Sequence, residues 1–163
     1  MSLHRDDHRV VLGVAEPPQP RTEYVLSWDQ LTARLHQVAG DVQRLRDDRG
    51  DHLVGVHPLA GGELVATAIA TATGVPVVDW VGSGVVLTGL VARHCAEAQC
   101  WVDRLGEGLA DVVWAFRVPE APVELTSEPM PGMGDPIRFP VCAQEVPADW
   151  LVMPWEDRTV VTS

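Results

Sequence analysis

The sequence predicts an α/β fold: a mostly parallel central sheet flanked by helices. Three observations carry this prediction. Over residues 52–118, apolar runs of strand length and helix-periodic stretches follow one another as strand, helix, strand, strand, helix, strand. The strand candidates are continuously apolar, as strands covered on both faces are. The length, 163 residues, suits one domain burying about 70% of its unfolded surface.

The elements follow in order. Residues 1–22 read as a flexible lead-in, charged at MSLHRDDHRV and proline-rich at PPQP, with one short apolar stretch, Val10 to Val14. Residues 23–163 are then expected to form a single domain. Trp28, Leu31, Leu35, Val38, Val42 and Leu45 recur at three- and four-residue steps, which predicts a helix with one apolar face. Ser27 or Asp29 can cap its start, and Gly50 its end, while Gly40 weakens its middle by roughly 1 kcal/mol relative to alanine. HLVGVH, from His52 to His57, has strand length and stops at Pro58. After Gly61-Gly62, ELVATAIATATG reads as a small-residue helix ending at Gly74.

Val75 to Val81 and Val85 to Val91 read as strands, and the intervening Gly82-Ser83-Gly84 predicts a hairpin between them. Residues 94–106 read as a helix with Cys100 on its buried face, and Ala110 to Val118 as a buried strand. Residues 119–136, rich in Pro, Gly and Glu, predict a long surface loop. A strand around Ile137 to Cys142 and the Trp-rich ADWLVMPWEDR close the chain.

Composition excludes several functions. The net charge is −11, and all 12 basic residues are arginines. Without lysine there is no Schiff-base, P-loop or general-base lysine. So acidic a chain is a poor partner for nucleic acid or a membrane surface. Apolar runs fall short of the roughly 20 residues that span a bilayer, and the N-terminus lacks a signal-peptide core. Three cysteines, Cys95, Cys100 and Cys142, with no CxxC, point to a reduced, cytoplasmic chain without disulfides or a thiolate zinc site. His52 and His57 lie five apart on a strand and so face opposite sides, which argues against a metal site.

Three stretches together resemble the type I phosphoribosyltransferases, in particular the short bacterial xanthine–guanine/hypoxanthine branch. YVLSWDQL at 24–31 is similar to that branch's opening Y-x-x-[ST]-W-D. LVGVHPLAGGELVATAIATATGVPVVD at 53–79 is similar to its strand, pyrophosphate loop, helix and L-G-[IV]-P segment. DWLVMPWED at 149–157 is similar to its closing W-[IV]-x-x-P-W-[DE]. The resemblance implies the type I phosphoribosyltransferase fold, with a small C-terminal hood. It also implies Mg²⁺-dependent transfer of ribose 5-phosphate from phosphoribosyl pyrophosphate to a purine base, and a homodimer.

The family's D-D-x-x-D-T-G-x-T motif binds ribose through carboxylates and phosphate through backbone N–H groups. Two placements are open here. TGLVARHCA, residues 88–96, puts Thr88, Gly89 and Ala92 at the acids and Arg93 and His94 in the phosphate turn, so that every carboxylate is gone. VDWVGSG, residues 78–84, keeps Asp79 and a Ser-Gly turn but has no helix directly after it. The family's pyrophosphate-loop arginine falls on Ala60, and its mobile loop is reduced to Gly82-Ser83-Gly84.

On the base side, Trp150 matches the purine-stacking aromatic, Leu151 would supply backbone contacts, and Arg117 falls at or near the lysine that donates to the purine 6-oxo group. Candidate anion-binding residues are Gly61, Gly62, Arg93 and His94. The catalytic candidates are Asp79 and Cys95, the latter as a thiolate activated by a helix N-terminus and a neighbouring arginine.

The expected function is therefore that of a phosphoribosyltransferase-like protein that has lost phosphoribosyl pyrophosphate binding and catalysis. It would keep a purine, nucleotide or protein-binding role, alone or beside a related catalytic subunit. Two alternatives stand beside it: an active purine phosphoribosyltransferase using Asp79 and Mg²⁺, and a different enzyme using the Arg93-His94-Cys95 turn.

Overall fold

A computed structural model describes residues 23–129, 131–132, 134–148 and 150–156. The apolar stretch Val10 to Val14 lies outside the described residues. Strands β2 (Gly55–Pro58), β3 (Val85–Ala92), β4 (Asp111–Arg117) and β7 (Gln144–Glu145) form a parallel sheet in the order β2-β3-β4-β7. Helices α1 (Trp28–Arg49), α2 (Glu63–Thr73) and α3 (Ala96–Leu105) flank it. The predicted α/β class and parallel sheet are therefore those observed.

Ser27 caps α1 through a reciprocal box with Gln30: its hydroxyl accepts from the Gln30 N–H at 3.1 Å, and its own N–H donates to Gln30 Oε1 at 2.8 Å. Leu31, Val38, Ala39 and Val42 are buried, packing α1 against α2 and β4. Arg34 ties that helix to the sheet by donating to the Ala115 carbonyl at 2.6 Å and to that of Cys142 at 2.7 Å. In α2, Val65, Ala66 and Ile69 face β2 and β3, and Gly74 ends the helix in the left-handed conformation.

Two further sheets complete the fold. β1 (Glu23–Val25) pairs in parallel with β8 (Trp150–Val152), joining the two ends of the described chain. Trp28 packs against Trp155 beyond this pair, with ring centroids 6.0 Å apart. The opening and closing tryptophan motifs thus form one unit, the small hood. The Met153–Glu156 turn is sealed by the Met153 N–H donating to Glu156 Oε2 at 2.8 Å. β5 (Glu124–Ser127) and β6 (Ile137–Pro140) form an antiparallel pair against α3 and β4.

Several expectations need correction. The strand expected at Val75 to Val81 is reduced to one bridge, Val77 to Val56, along the outer edge of β2. Pro76 has no N–H to extend the pairing. The expected hairpin does not form, because β3 is already paired on both edges, with β2 and β4. Instead, Gly84 accepts from the Val54 N–H and donates to the Gly108 carbonyl. His52 belongs to a short 3₁₀ turn, Gly50–His52, rather than to the strand containing His57. The 119–136 region contains β5, whose exposed-buried alternation places Leu125 opposite Phe139. Cys100 is exposed: Ala98 and Val102 define the buried face of α3, and two residues along a helix turn a side chain about 200° away.

Candidate functional site

In a parallel sheet, ligands bind beyond the carboxyl ends of the strands. Here that region holds the loop after β2, the turn after β3 and the loop after β4. A cavity of about 630 Å³ lies there, lined by Arg93 and His94 from the β3 turn and by Val118, Pro119, Glu120 and Pro122 from the β4 loop. Its volume is in the range of small-ligand pockets, roughly 300–1,000 Å³.

The turn after β3 places Arg93 half-buried and His94 exposed, and Cys95 begins α3 with a positive φ of 57°. The Arg93 guanidinium lies over the Trp150 indole, 4.8 Å from the ring centroid. Trp150 is 37% exposed. Arg93, which lines the cavity with His94, is thus brought onto Trp150, linking the central sheet to the hood.

Other predicted residues have protein partners. Arg117 donates to Glu145 Oε1 at 2.6 Å and to the Ala121 carbonyl at 3.2 Å, bracing the β4 loop. Its ion-pair partner is therefore Glu145, not the Glu120 or Glu124 nearer in sequence. Leu151 is buried, its backbone in register with Tyr24. Asp79 is exposed, beyond the Val77 bridge at the sheet's outer edge.

The loop after β2 is internally bonded. The Leu59 N–H donates to the Thr88 carbonyl at 2.7 Å, and the Gly62 N–H to the Leu59 carbonyl at 2.8 Å. The Ala60 N–H donates to Glu97 Oε1 at 3.3 Å, so a carboxylate of this chain sits at the loop. Gly62 serves close packing: a side chain there would overlap the Thr88 carbonyl, with its carbon at 2.9 Å.

Cys95, expected as an activated thiolate, lies in a largely dry setting. It is only 8% exposed, and burial pushes its thiol up, outweighing the opposing backbone hydrogen bond from Arg93. Desolvation penalises the thiolate more than the turn stabilises it.

At the positions that the first placement assigns to the ribose-binding acids, Thr88 is fully buried and Gly89 is covered by Trp114. A methyl built on Gly89 would fall inside contact distance of Trp114 Nε1 and Cδ1 and 3.0 Å from Cε2. Among the described residues, no three His, Cys, Asp or Glu side chains lie together as a metal-binding group.

Sequence reasoning missed Glu97, Glu120 and Trp114. A glycine inside a strand does signal close approach of another group, so Gly89 could have pointed to a covering side chain. Nothing local links Ala60 to Glu97, 37 residues away.

The sheet order, the flanking helices, the hood and the cavity at the strand ends define the fold of the type I phosphoribosyltransferases. Solved structures agree. The chain is similar to a purine phosphoribosyltransferase from Pyrococcus horikoshii Ot3, with TM-score 0.56 and 15% identity over 83% of this chain and 95% of that one. It is similar to a xanthine–guanine–hypoxanthine phosphoribosyltransferase from Helicobacter pylori, with TM-score 0.57 and 8% identity over 88% and 98%. It is also similar to a hypothetical protein from Neisseria gonorrhoeae with bound ppGpp, with TM-score 0.58 and 12% identity over 89% and 95%. At these identities the likeness is one of fold. No protein-family model matches the sequence, and no curated protein does. No helix among the described residues is long and apolar enough to cross a membrane.

Proposed function

We propose that this chain is a single-domain purine-nucleotide-binding protein of the phosphoribosyltransferase fold that has lost phosphoribosyl transfer. The observation that carries this reading is the state of the positions to which the 88–96 placement assigns the ribose-binding acids. Thr88 is buried, and Gly89 gives its space to Trp114. Transfer would need carboxylates near a ribose carrying developing positive charge, and the loop after β2 would have to accept pyrophosphate. That loop instead bonds to itself and to Glu97.

The base side supports binding. Trp150, which is 37% exposed and touches the cavity-lining Arg93, offers an indole face, and base stacking on such a face is worth ~1–3 kcal/mol. Leu151 holds the strand that presents it, and Arg117 acts through the loop it braces. Arg93 supplies the positive charge for a phosphate, with His94 beside it in the cavity lining, and the Gly61-Gly62 loop stays a further anion-binding candidate. The ppGpp bound by the Neisseria protein is in keeping with a nucleotide at such a fold. The protein would work in the cytoplasm as a homodimer or beside a related catalytic subunit.

The test is incubation with phosphoribosyl pyrophosphate, Mg²⁺ and guanine, hypoxanthine or xanthine. We expect no nucleotide product. Turnover abolished by Asp79→Asn would instead establish an active transferase with Asp79 in the acidic role.

A further inference from the structure

Arg93 is placed where two functions compete for it. Its backbone lies in the turn after β3, and it lines the cavity with His94. Its guanidinium covers one face of Trp150, a residue on a different sheet. The remaining lining residues add one carboxylate, Glu120, and the apolar surfaces of Val118, Pro119 and Pro122. The positive charge of the cavity thus comes from the β3 turn, and its charged side chain is stacked on the aromatic surface a base would use.

We propose that Arg93 is a specificity residue that makes the site select nucleotides over free bases and nucleosides. This deepens the reading given above and rests on its assignment of base stacking to Trp150. A base that stacks on the covered face must first displace the guanidinium. A cation over a partly exposed indole is held strongly enough to set an uncharged ligand back by roughly two- to five-fold in affinity. A nucleotide recovers this loss. Its phosphate gives the displaced guanidinium a bidentate, charge-assisted partner inside the same cavity, with His94 beside it. A nucleoside has the base but no anion, so it bears the displacement without the return. Inorganic phosphate has the anion but gains nothing from Trp150.

The experiment is calorimetric titration of the full chain with inosine 5′-monophosphate and with inosine. We expect the parent to favour the monophosphate by about ten-fold or more, with the preference shrinking as salt rises from about 50 to about 300 mM. In Arg93→Ala, inosine should bind more tightly than to the parent, and the monophosphate should fall to within about three-fold of it. Arg93→Gln, which keeps a planar polar group without the charge, should likewise lose the preference; it provides a second variant should the first fold poorly.

Inosine binding unchanged by Arg93→Ala would mean that the base uses another face, and would overturn the proposal. So would a monophosphate preference that survives both variants. In either case binding itself persists, and the purine-nucleotide reading stands. Absence of binding of either ligand to the parent and both variants would overturn that reading together with this proposal.

Discussion

Gly89 gives the sharpest test of whether the Trp114 ring excludes a side chain at this point of β3. Placing a methyl there brings it inside contact distance of two Trp114 ring atoms and 3.0 Å from a third, where ordinary contact is 3.4–4 Å. Trp114 is only 5% exposed and has little room to yield. Overpacking of this kind costs typically ~1–3 kcal/mol, and so deep an overlap argues for the upper end, about 3. Replacing a strand glycine returns roughly 0.5–1 kcal/mol of backbone entropy. The net expectation for Gly89→Ala is a loss of about 2 kcal/mol.

Trp114→Val removes the ring, so Gly89→Ala made in that background should be neutral or slightly stabilising. The coupling between the two sites should then be about 2–3 kcal/mol. Urea denaturation of the four proteins in the cycle measures it. A Gly89→Ala loss under about 0.5 kcal/mol would refute the steric account, and so would the same loss with and without the indole. Gly89→Asp should cost more than Gly89→Ala, because it also buries a carboxylate.

Two further predictions concern titrating groups. Asp111 is raised from 3.8 to about 6, chiefly by burial, which outweighs the Val112 N–H and Arg49 that oppose it. Between about pH 4 and about pH 6 the folded state therefore holds the extra proton, so this residue makes stability fall as pH rises through that window and level off above it. Asp111→Asn should flatten this part of the profile and gain roughly 1–3 kcal/mol near neutrality, read by urea denaturation across the window; an unchanged slope would refute it. For the thiols, native alkylation at about pH 8 should modify exposed Cys100 first, while Cys95, raised by burial, and Cys142, raised to about 11, react far more slowly. Peptide mass spectrometry checks the order, and Cys95 reacting as fast as Cys100 would restore the activated thiolate.

Sequence alone set the local elements whose causes lie within a few residues. The cap of α1, at Ser27 of the two residues offered, the apolar face carried by Leu31, Val38 and Val42, and the Gly74 stop of α2 are all short-range and stand where the sequence placed them, whereas the Gln30 half of the capping box and the exposure of Trp28 were not foreseen. It also determined the parallel class, because the strands are apolar on both faces. Pairing could not be read in this way. Val75 to Val81 has the composition of a strand, but β3 spends both edges on β2 and β4. Only tertiary structure decides which segment wins an edge.

The same division holds at the candidate site. Trp150, Arg93 and His94 were legible as residues that could stack a base or hold an anion. The meeting of Arg93 and Trp150, 57 positions apart, with the guanidinium on the indole, depends on the hood packing against the β3 turn. Arg117 was legible as a cation, but Glu145 claims it because β4 and β7 run side by side. That 88 and 89 are Thr and Gly is written in the sequence; that Trp114 fills the space beside Gly89 is decided by the packing of neighbouring strands. Side-chain identity is local information, whereas occupancy of a shared volume belongs to every element that borders it.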